Sequence, residues 1–136
     1  MKLLLFYAHR FSYRTFSKTL PDMPDREGDG EMSSAVVVFF HVEKEDEANR
    51  KSVLQKFLKN TKWLAGKFGT KKVVLHSFNH LSTSKSSPEF AYGLLNEVEE
   101  RLRNTGYEVM TTPFGYFNEF QIHVAGDSLA KVFKEF

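Results

Sequence analysis

The chain has 136 residues, a mass of 15.7 kDa and a formal net charge of +2 at pH 7, a size that accommodates one domain with one hydrophobic core. It contains no cysteine, which excludes disulfides, thiolate nucleophiles and cysteine-ligated metals and is compatible with a cytoplasmic protein. No apolar run approaches the roughly 20 residues that cross a bilayer. Hydrophobic residues at 41% and charged residues at 26% are typical of a globular protein, so we expect one folded domain over residues 1–136.

Three runs of apolar and β-branched residues predict buried strands, at 2–7, 35–43 and 71–78. The connection between the first two, residues 21–34, has the prolines, glycines and acids of an exposed segment. Two further strands, at 107–112 and 118–124, flank an aromatic turn and are expected to form a hairpin-like unit.

Amphipathic spacing predicts two long helices. Apolar residues recur every three or four positions from Leu54 to Phe68, in a helix that Asp46 caps and Gly69 ends. A second helix begins after Ser87, a capping residue followed by proline, and runs to Gly106. Both helices expose polar residues on one face, so each is expected to pack on a sheet.

A short third helix is predicted at the carboxyl end, where Asp127 or Ser128 caps a segment whose apolar residues are Leu129, Val132, Phe133 and Phe136. The predicted order is then strand, strand, helix, strand, helix, strand, strand, helix. Right-handed crossovers through the helices make part of such a sheet parallel. We therefore expect a two-layer α/β sandwich with a mixed sheet.

The lysines are unevenly distributed. Residues 51–72 contain seven lysines and no acid, although the whole chain carries a net charge of only +2. Such a stripe either follows the phosphate backbone of a nucleic acid or forms a solvated helix face. The sequence alone leaves both interpretations open.

Ligand sites in α/β sheets lie where strands end and loops begin, and two segments meet this condition. The segment "SFNHLS" (77–82) follows the third predicted strand, and "PFGYF" (113–117) is the aromatic turn between the last two. His80 is the histidine that lies just beyond a strand and before a polar loop. No metal-ligand spacing, nucleophile elbow or glycine-rich phosphate loop is present. The residues predict an aromatic-lined pocket with one histidine, which is either functional or structural.

Four short segments together carry a family resemblance. In this order and spacing, "VEKEDEAN" (42–49), "FNHLS" (78–82), the helix start at 88–91 and "PFGY" (113–116) resemble the amino-terminal editing domain of archaeal-type threonyl-tRNA synthetases. The resemblance covers nearly the whole chain and is weakest across residues 7–34. It implies the fold of the D-aminoacyl-tRNA deacylases, assembly as a homodimer, and no cofactor or metal.

The resemblance also implies a reaction, the hydrolysis of serine esters formed in error on threonine tRNA. Serine lacks only the methyl group of threonine, and one such group gives a synthetic pocket roughly 1–3 kcal/mol of discrimination. A second pocket that excludes the methyl group supplies the rest. In the family, much of the catalysis is attributed to the ribose hydroxyl next to the ester. The implied partners are the 3′-terminal aminoacyl-adenosine of threonine tRNA and a synthetase catalytic subunit or domain; a free-standing editing factor and the editing part of a longer synthetase both fit the sequence.

The family's site residues are carried over by position. The resemblance implies that Val42, Ala91 and Phe114 are apolar walls of the pocket. It also implies that His80 and its backbone hold the aminoacyl ester and the ribose, and that Tyr116 borders the pocket with its hydroxyl. For each wall residue, ordinary core packing is the alternative.

Two positions depart from the family pattern. Relatives commonly read Pro-Phe-Gly-Tyr-Tyr-Lys, whereas Phe117 and Asn118 occupy the last two places here, so the lysine that is usually given a catalytic role is missing. We assign these two residues to the substrate-binding set. Lys131 stands where many relatives carry an acid, and we expect it, on the last helix, to fill the space of the missing lysine and hold the attacking water or the oxyanion. A surface lysine is the alternative.

Two other functions remain open at this point. The related fold suggests a D-aminoacyl-tRNA deacylase, which would select by chirality. The missing lysine suggests a catalytically inert RNA-binding or dimerisation module, in which the aromatic pocket would stack a terminal base. Substrate preference distinguishes these functions from serine editing.

Overall fold

A computed structural model describes residues 1–136 as one mixed sheet with two helices on one of its faces. The elements in chain order are β1 (Lys2–Lys18), β2 (Asp29–His41), α1 (Arg50–Lys67), β3 (Lys72–Ser77), α2 (Pro88–Asn104), β4 (Glu108–Thr111), β5 (Tyr116–Val124) and β6 (Lys131–Glu135). Short 3₁₀ helices occupy Lys44–Ala48 and Ser128–Ala130. Neither α-helix is long and apolar enough to cross a membrane.

The sheet has the strand order β4-β3-β2-β1-β5, and β6 pairs with the first half of β1, beyond the end of β5. The strands β2, β3 and β4 are parallel and are connected through α1 and α2. The strand β1 runs antiparallel to β2, β5 and β6. The predicted α/β fold with a mixed sheet is therefore confirmed. The two crossover helices give parallel neighbours, whereas the loop 19–28 turns the chain back and makes β2 antiparallel to β1.

The strand β1 is much longer than the predicted run 2–7. Beyond Ala8 it alternates apolar residues such as Phe11, which is fully buried, with solvent-facing residues such as Arg14. Such a half-polar strand lacks the continuous apolar run that marked the first half. Its partner β2 begins at Asp29, so the connection between the two strands is 19–28 rather than the predicted 21–34.

The predicted hairpin of 107–112 and 118–124 is wrong. The strand β4 pairs with β3 at one edge of the sheet, and β5 pairs with β1 at the other. The connection 112–115 spans about 18 Å at most, whereas four strand spacings in a flat sheet measure about 19 Å. The sheet therefore curls until its edges approach, and Phe120 of β5 lies 5.4 Å from Phe39 of β2 and 4.9 Å from His76 of β3, between ring centroids.

The predicted carboxyl-terminal helix is also wrong. Asp127 does act as a cap, since its side chain accepts a hydrogen bond from the backbone N–H of Leu129 (2.8 Å), but it caps only the 3₁₀ helix. The chain then enters β6, where Val132 pairs with Leu5 of β1. The segment is too short for its spacing to separate helix from strand, and β1 offers an open edge whose backbone groups need partners.

Two hydrophobic clusters result from the curled sheet. The larger one lies between the sheet and the helices and contains fully buried residues such as Leu5 of β1, Phe57 of α1 and Leu94 of α2. The smaller one, here called the inner cluster, lies on the concave face; it consists of Ala8, Phe11, Met32, Ala35, Val37, Phe39 and Val74. Three predicted site residues, Val42, His80 and Phe114, lie in the segments that follow the carboxyl ends of the parallel strands β2, β3 and β4.

Candidate functional site

The three predicted wall residues lie at the edge of the sheet where the parallel strands β2, β3 and β4 end. Val42 and Ala91 are buried members of the larger cluster, and Phe114 packs half-buried against it. The N–H of Ser86 donates to the carbonyl of Val42 (3.1 Å), which ties the start of α2 to the end of β2. The ring of Tyr92 lies 5.4 Å from that of Phe114, between centroids. The three walls therefore belong to one rigid unit.

The start of α2 is fixed by its sequence. The hydroxyl of Ser87 accepts a hydrogen bond from the N–H of Phe90 (3.2 Å), and Pro88 occupies the first turn, where its missing N–H costs nothing. The predicted cap is confirmed. Because this first turn carries Ala91, the cap determines where that wall residue lies.

His80 lies in the turn that follows β3 and is exposed. The N–H of Phe78 donates to the carbonyl of Phe40 (2.9 Å), which extends the pairing of β3 with β2, and the N–H of His80 donates to the carbonyl of Phe78 (2.9 Å). The His80 imidazole stands edge-on to the Phe78 ring, at 4.9 Å between centroids. It makes no hydrogen bond within the protein, so both ring nitrogens are open to a ligand.

A second histidine, which the sequence did not single out, holds this turn. His41 ends β2 and is fully buried; its Nδ1 accepts from the N–H of Leu81 (3.2 Å) and its Nε2 donates to the carbonyl of Ser84 (2.6 Å). These two contacts fix the tautomer with the proton on Nε2. His41 therefore clamps the backbone that follows His80. A histidine at the end of an otherwise apolar strand was the available signal.

Acidic residues on one segment bind the serine-rich loop on the other. The segment 43–47 accepts from the loop at every second position: Ser82 Oγ donates to Glu43 (2.6 Å), Ser84 Oγ to Glu45 (2.9 Å) and the N–H of Ser87 to Glu47 (3.1 Å). The motifs "VEKEDEAN" and "FNHLS" are therefore in contact. Predicted separately from the sequence, they form one frame around the turn that carries His80.

The carboxylate of Glu43 lies at the centre of this frame. Partial burial raises its pKa, but hydrogen bonds from the Met1 ammonium, the Ser82 hydroxyl and the Lys2 ammonium outweigh that effect and bring the pKa to about 2. The Met1 ammonium also donates to Asp46 (3.0 Å). The prediction that Asp46 caps α1 is therefore wrong, since Asn49 precedes that helix. Asp46 instead accepts from the N–H of Glu43 (2.7 Å) and stabilises the 3₁₀ turn.

The last residue of the "PFGY" turn and the two residues after it have different environments. The hydroxyl of Tyr116 accepts from the N–H of Arg26 (2.9 Å), so it binds the loop between β1 and β2. Phe117, the next residue, is 64% exposed. Asn118 donates from Nδ2 to the carbonyl of Tyr116 (3.3 Å), whereas its Oδ1 is buried without a partner. A buried oxygen without a partner, at the position of the family's lysine, marks a place where a ligand group can donate.

Lys131 lies apart from these residues. It is the first residue of β6, opposite Phe6 of β1, and its ammonium donates to the carbonyls of Ala125 (3.0 Å) and Asp127 (3.3 Å). Asn118 pairs with Thr15, which is nine residues beyond Phe6, or about 30 Å measured along β1. Within one chain, Lys131 therefore does not fill the space of the missing lysine. Any role at this site would require Lys131 of a second copy.

The three main cavities of the molecule are not lined by Val42, Ala91 or His80. A groove of about 800 Å³ lies between β1, β2 and β5 and has mainly polar walls, including Arg10, Arg14, Asp29, Glu31 and Glu119. A cavity of about 20 Å³, room for one water, lies between Phe114 and the first half of α2. No group of three or more histidine, aspartate or glutamate side chains is arranged to hold a metal ion.

Comparison with known proteins places the whole chain in one family. The model of the archaea-specific editing domain of threonyl-tRNA synthetase matches residues 1–136. This chain belongs to that family. The editing domain is 34% identical to a threonine–tRNA ligase of Hyperthermus butylicus, over 100% of this chain and 23% of the relative. It is 32% identical to that of Thermococcus kodakarensis, over 97% of this chain and 22% of the relative.

The chain thus spans less than a quarter of the length of these curated relatives. Among solved structures, the c-Myc DNA unwinding element binding protein superposes with a TM-score of 0.65 and 18% identity, covering 99% of this chain and 98% of that one. At this identity the likeness concerns the fold alone. The family predicted from the four sequence segments and the two-layer α/β fold predicted with it are both confirmed.

Proposed function

We propose that this editing domain hydrolyses the ester between L-serine and the 3′-terminal adenosine of threonine tRNA and spares the threonyl ester. The single observation that carries the proposal is the frame at the carboxyl ends of β2 and β3. There Val42, Ala91 and Phe114 form one packed unit beside the turn that presents His80. Family membership supplies the class of substrate.

Rigidity of the walls supports selection against threonine. Val42 and Ala91 belong to the packed cluster, and Phe114 is braced by Tyr92, so an extra methyl group would have to displace packed atoms. Overpacking such a site typically costs about 1–3 kcal/mol. This penalty against threonine adds to the similar discrimination against serine, roughly 1–3 kcal/mol, that one methyl group gives the synthetic pocket. A serine side chain makes no such demand.

The chemistry needs no protein nucleophile. Water adds to the ester carbonyl carbon, the bond between that carbon and the ribose oxygen breaks, and the ribose oxygen leaves with a proton. In this proposal the neighbouring ribose hydroxyl orients the water and His80 binds the ester or the ribose with its open ring nitrogens. The N–H of Asn79, which has no partner within the protein, donates to the oxyanion. Tyr116, Phe117 and Asn118 border the substrate, Asn118 through its unpartnered Oδ1.

The assembly is part of the proposal. A homodimer is supported by apolar surface that one chain leaves exposed: Phe16 and Phe117 near the paired ends of β1 and β5, and Phe133 on β6. A second copy would also be the only source of Lys131 at the site. The catalytic part of a threonyl-tRNA synthetase, acting in the cytoplasm, would supply the mischarged tRNA.

Single-turnover hydrolysis tests the proposal. Seryl and threonyl esters of threonine tRNA are each incubated with the parent protein and with the variants His80→Ala, Tyr116→Phe and Lys131→Ala. The expected result is fast loss of serine, with threonine spared, and a slower rate for His80→Ala. A D-aminoacyl ester serves as the third substrate; preference for it would assign chiral proofreading instead. No cleavage of any ester above the spontaneous rate would reduce the chain to a binding module.

A further inference from the structure

The helix α1 has a cationic face without any acid. It contains Arg50 and the lysines at positions 51, 56, 59, 62 and 67, and no aspartate or glutamate. Lys134 of the neighbouring strand β6 joins this surface, because its ammonium lies 5.6 Å from the ring centroid of Trp63 of α1. We call the six lysines Lys51, Lys56, Lys59, Lys62, Lys67 and Lys134 the lysine face.

None of these six lysines forms a salt bridge. The paired cations of the molecule lie elsewhere, at Lys2, Arg10, Lys18, Arg50, Arg101 and Arg103. Three of the six contact aromatic rings instead: Lys134 lies over Trp63, and Lys56 over Phe136 and Lys62 over Tyr107, the last two both at 5.8 Å from the centroid. The charge of the lysine face is therefore available to an external anion.

The second helix shows what an ordinary solvated face looks like in this protein. The helix α2 carries four acids, Glu89, Glu97, Glu99 and Glu100, and its two arginines are paired one turn away, Arg101 with Glu97 and Arg103 with Glu99. Both signs alternate there, as is typical of a helix that faces only water. Since α1 lies in the same layer and has only one sign, a solvated face explains it poorly.

The lysine face begins next to the candidate site and leads away from it. Arg50 at the start of α1 forms an ion pair with Glu97 of α2 (2.6 Å). The carboxylate of Glu47, three residues earlier, accepts from the N–H of Ser87, the N-cap residue of α2. From Lys51 to Lys67 the helix rises about 24 Å. A polyanion whose end lies at the site would therefore meet cations along this whole length.

An exposed aromatic side chain lies within the lysine face. Trp63 is 41% exposed. Indole rings within cationic surfaces pack against sugars and bases of nucleic acids, where they add contact area that lysine alone does not provide. Charge complementarity and this ring favour RNA over an acidic protein or a simple anion as the occupant.

We propose that the lysine face binds the sugar-phosphate backbone of the tRNA body whose aminoacylated 3′ end enters the candidate site. This inference rests on the proposed function for the identity of the RNA. The contacts are with phosphates and carry no sequence information, so they position the tRNA and leave the choice of amino acid to the pocket. Each lysine that neutralises a phosphate releases a counterion, which makes binding strongly dependent on salt.

Salt titration of tRNA binding tests this surface directly. Uncharged threonine tRNA is titrated with the parent protein and with the triple variant Lys59→Gln, Lys62→Gln, Lys67→Gln, from about 50 to 200 mM salt. The matched control, Lys18→Gln, Arg101→Gln, Arg103→Gln, removes the same charge from paired cations elsewhere. We expect the lysine-face variant to lower the salt slope by about 3 and the affinity by on the order of tenfold or more, with the control close to the parent.

Equal slopes and affinities for the two triple variants would overturn the proposal, as would failure of the parent to bind tRNA. A second readout separates this outcome from failure of the proposed function. Seryl esters are presented on full tRNA and on a short single strand that ends in the same 3′ adenosine. The lysine-face variant is expected to slow hydrolysis only on full tRNA. If the parent cleaves neither ester, the editing proposal fails while the salt slopes still decide the binding surface.

Discussion

The imidazole Nε2 of His41 lies 2.6 Å from the carbonyl oxygen of Ser84, and this contact joins the end of β2 to the loop after β3. The other ring nitrogen accepts from the N–H of Leu81. One buried side chain thus satisfies two backbone groups that have no sheet partner. Since His80 lies immediately before this clamp, its position depends on a residue that touches no substrate.

Replacing His41 with alanine is expected to release the loop. The change leaves a cavity and two unpaired, partly buried backbone groups, which together cost about 2–4 kcal/mol of unfolding free energy. Amide hydrogen exchange at Leu81 should accelerate more than exchange in the middle of β3. Urea unfolding and residue-resolved exchange measure the two effects.

Two further variants make the test specific. In His41→Gln the side-chain amide can still donate to Ser84, so its loss of stability should be smaller than that of His41→Ala. His123 lies exposed on β5, and His123→Ala should stay within about 0.5 kcal/mol of the parent. Unchanged protection of Leu81 in His41→Ala would show that the clamp does not hold the loop.

The frame around Glu43 predicts a loss of stability in acid. The pKa of this carboxyl is held at about 2 in the folded protein, against 4.5 as its ordinary value, by the ammonium groups of Met1 and Lys2 and by Ser82. A lowered pKa contributes stability that is complete above pH 4.5 and is lost as the pH falls towards 2. Urea midpoints measured between pH 5 and pH 2 should therefore fall, and should fall less steeply in Glu43→Gln.

Glu100 provides the control for this pH dependence. It is exposed on α2 and forms no ion pair, so Glu100→Gln should keep the slope of the parent. An acid slope of Glu43→Gln equal to that of the parent would mean that this carboxyl is not the linked group.

His76 makes the stability of the protein depend on pH in a higher range than Glu43 does. Its ring lies buried between Phe39 and Phe120, and Nδ1 is hydrogen-bonded to the Thr112 hydroxyl (2.9 Å). Burial lowers its pKa from 6.5 to about 4. Between pH 6.5 and pH 4 the unfolded chain is protonated at this histidine and the folded chain is not. The unfolding free energy therefore falls by up to about 3 kcal/mol as the pH drops across this range.

Nuclear magnetic resonance of the ring protons checks the titration itself. The His76 signals should stay at their neutral position down to about pH 4, whereas a short unfolded peptide that contains histidine serves as the reference. The unfolding free energy of His76→Gln should be nearly flat across this window. A His76 midpoint close to 6.5 would contradict the predicted burial effect.

The elements that the sequence predicts correctly are those with a local signal, which can be recognised without knowing their neighbours in the sheet. The core strand 35–43, the strand 71–78 and the helix after Ser87 were predicted because continuous β-branched runs and a capped amphipathic repeat are local signals. The second half of β1 has no such signal, because it alternates buried with solvent-facing residues and one of its partners, β5, lies about 100 residues further along the chain. The same cause explains why Lys131 was placed on a helix: β6 exists only where β1 leaves an edge open.

In the candidate site, too, some features can be predicted from the sequence and others depend on how the strands pair. Val42, Ala91 and Phe114 were assigned by family resemblance, and the structure brings them into one unit. His41 stands out in the sequence only as a histidine at the end of an apolar strand, a signal that does not reveal its two backbone partners. The distance between Lys131 and Asn118 could not be foreseen either, since it follows from the registers of two strands on β1.

The turn "PFGY" depends on Gly115, which supports the last prediction. Gly115 has a φ of +83°, and its carbonyl accepts from the N–H groups of Thr19 and Leu20. A Cβ at this position would stand 2.9 Å from Cγ of Met23 and 3.1 Å from Cβ of Leu20. Gly115→Ala combines the strain of a left-handed backbone, about 1–2 kcal/mol, with this crowding, so the unfolding free energy should fall by about 2–3 kcal/mol.

Gly93 provides the opposite result from the same substitution. It lies inside α2, and a Cβ there meets no atom within 4 Å, so Gly93→Ala should raise the unfolding free energy by about 0.5–1 kcal/mol. Opposite signs in urea unfolding would show that the turn is held by the left-handed conformation and by its contact with the loop after β1. Because Phe114 precedes this glycine, the same Gly115→Ala variant should weaken the discrimination against threonine. Equal losses in both variants would mean that Gly115 has no special role in the pocket wall.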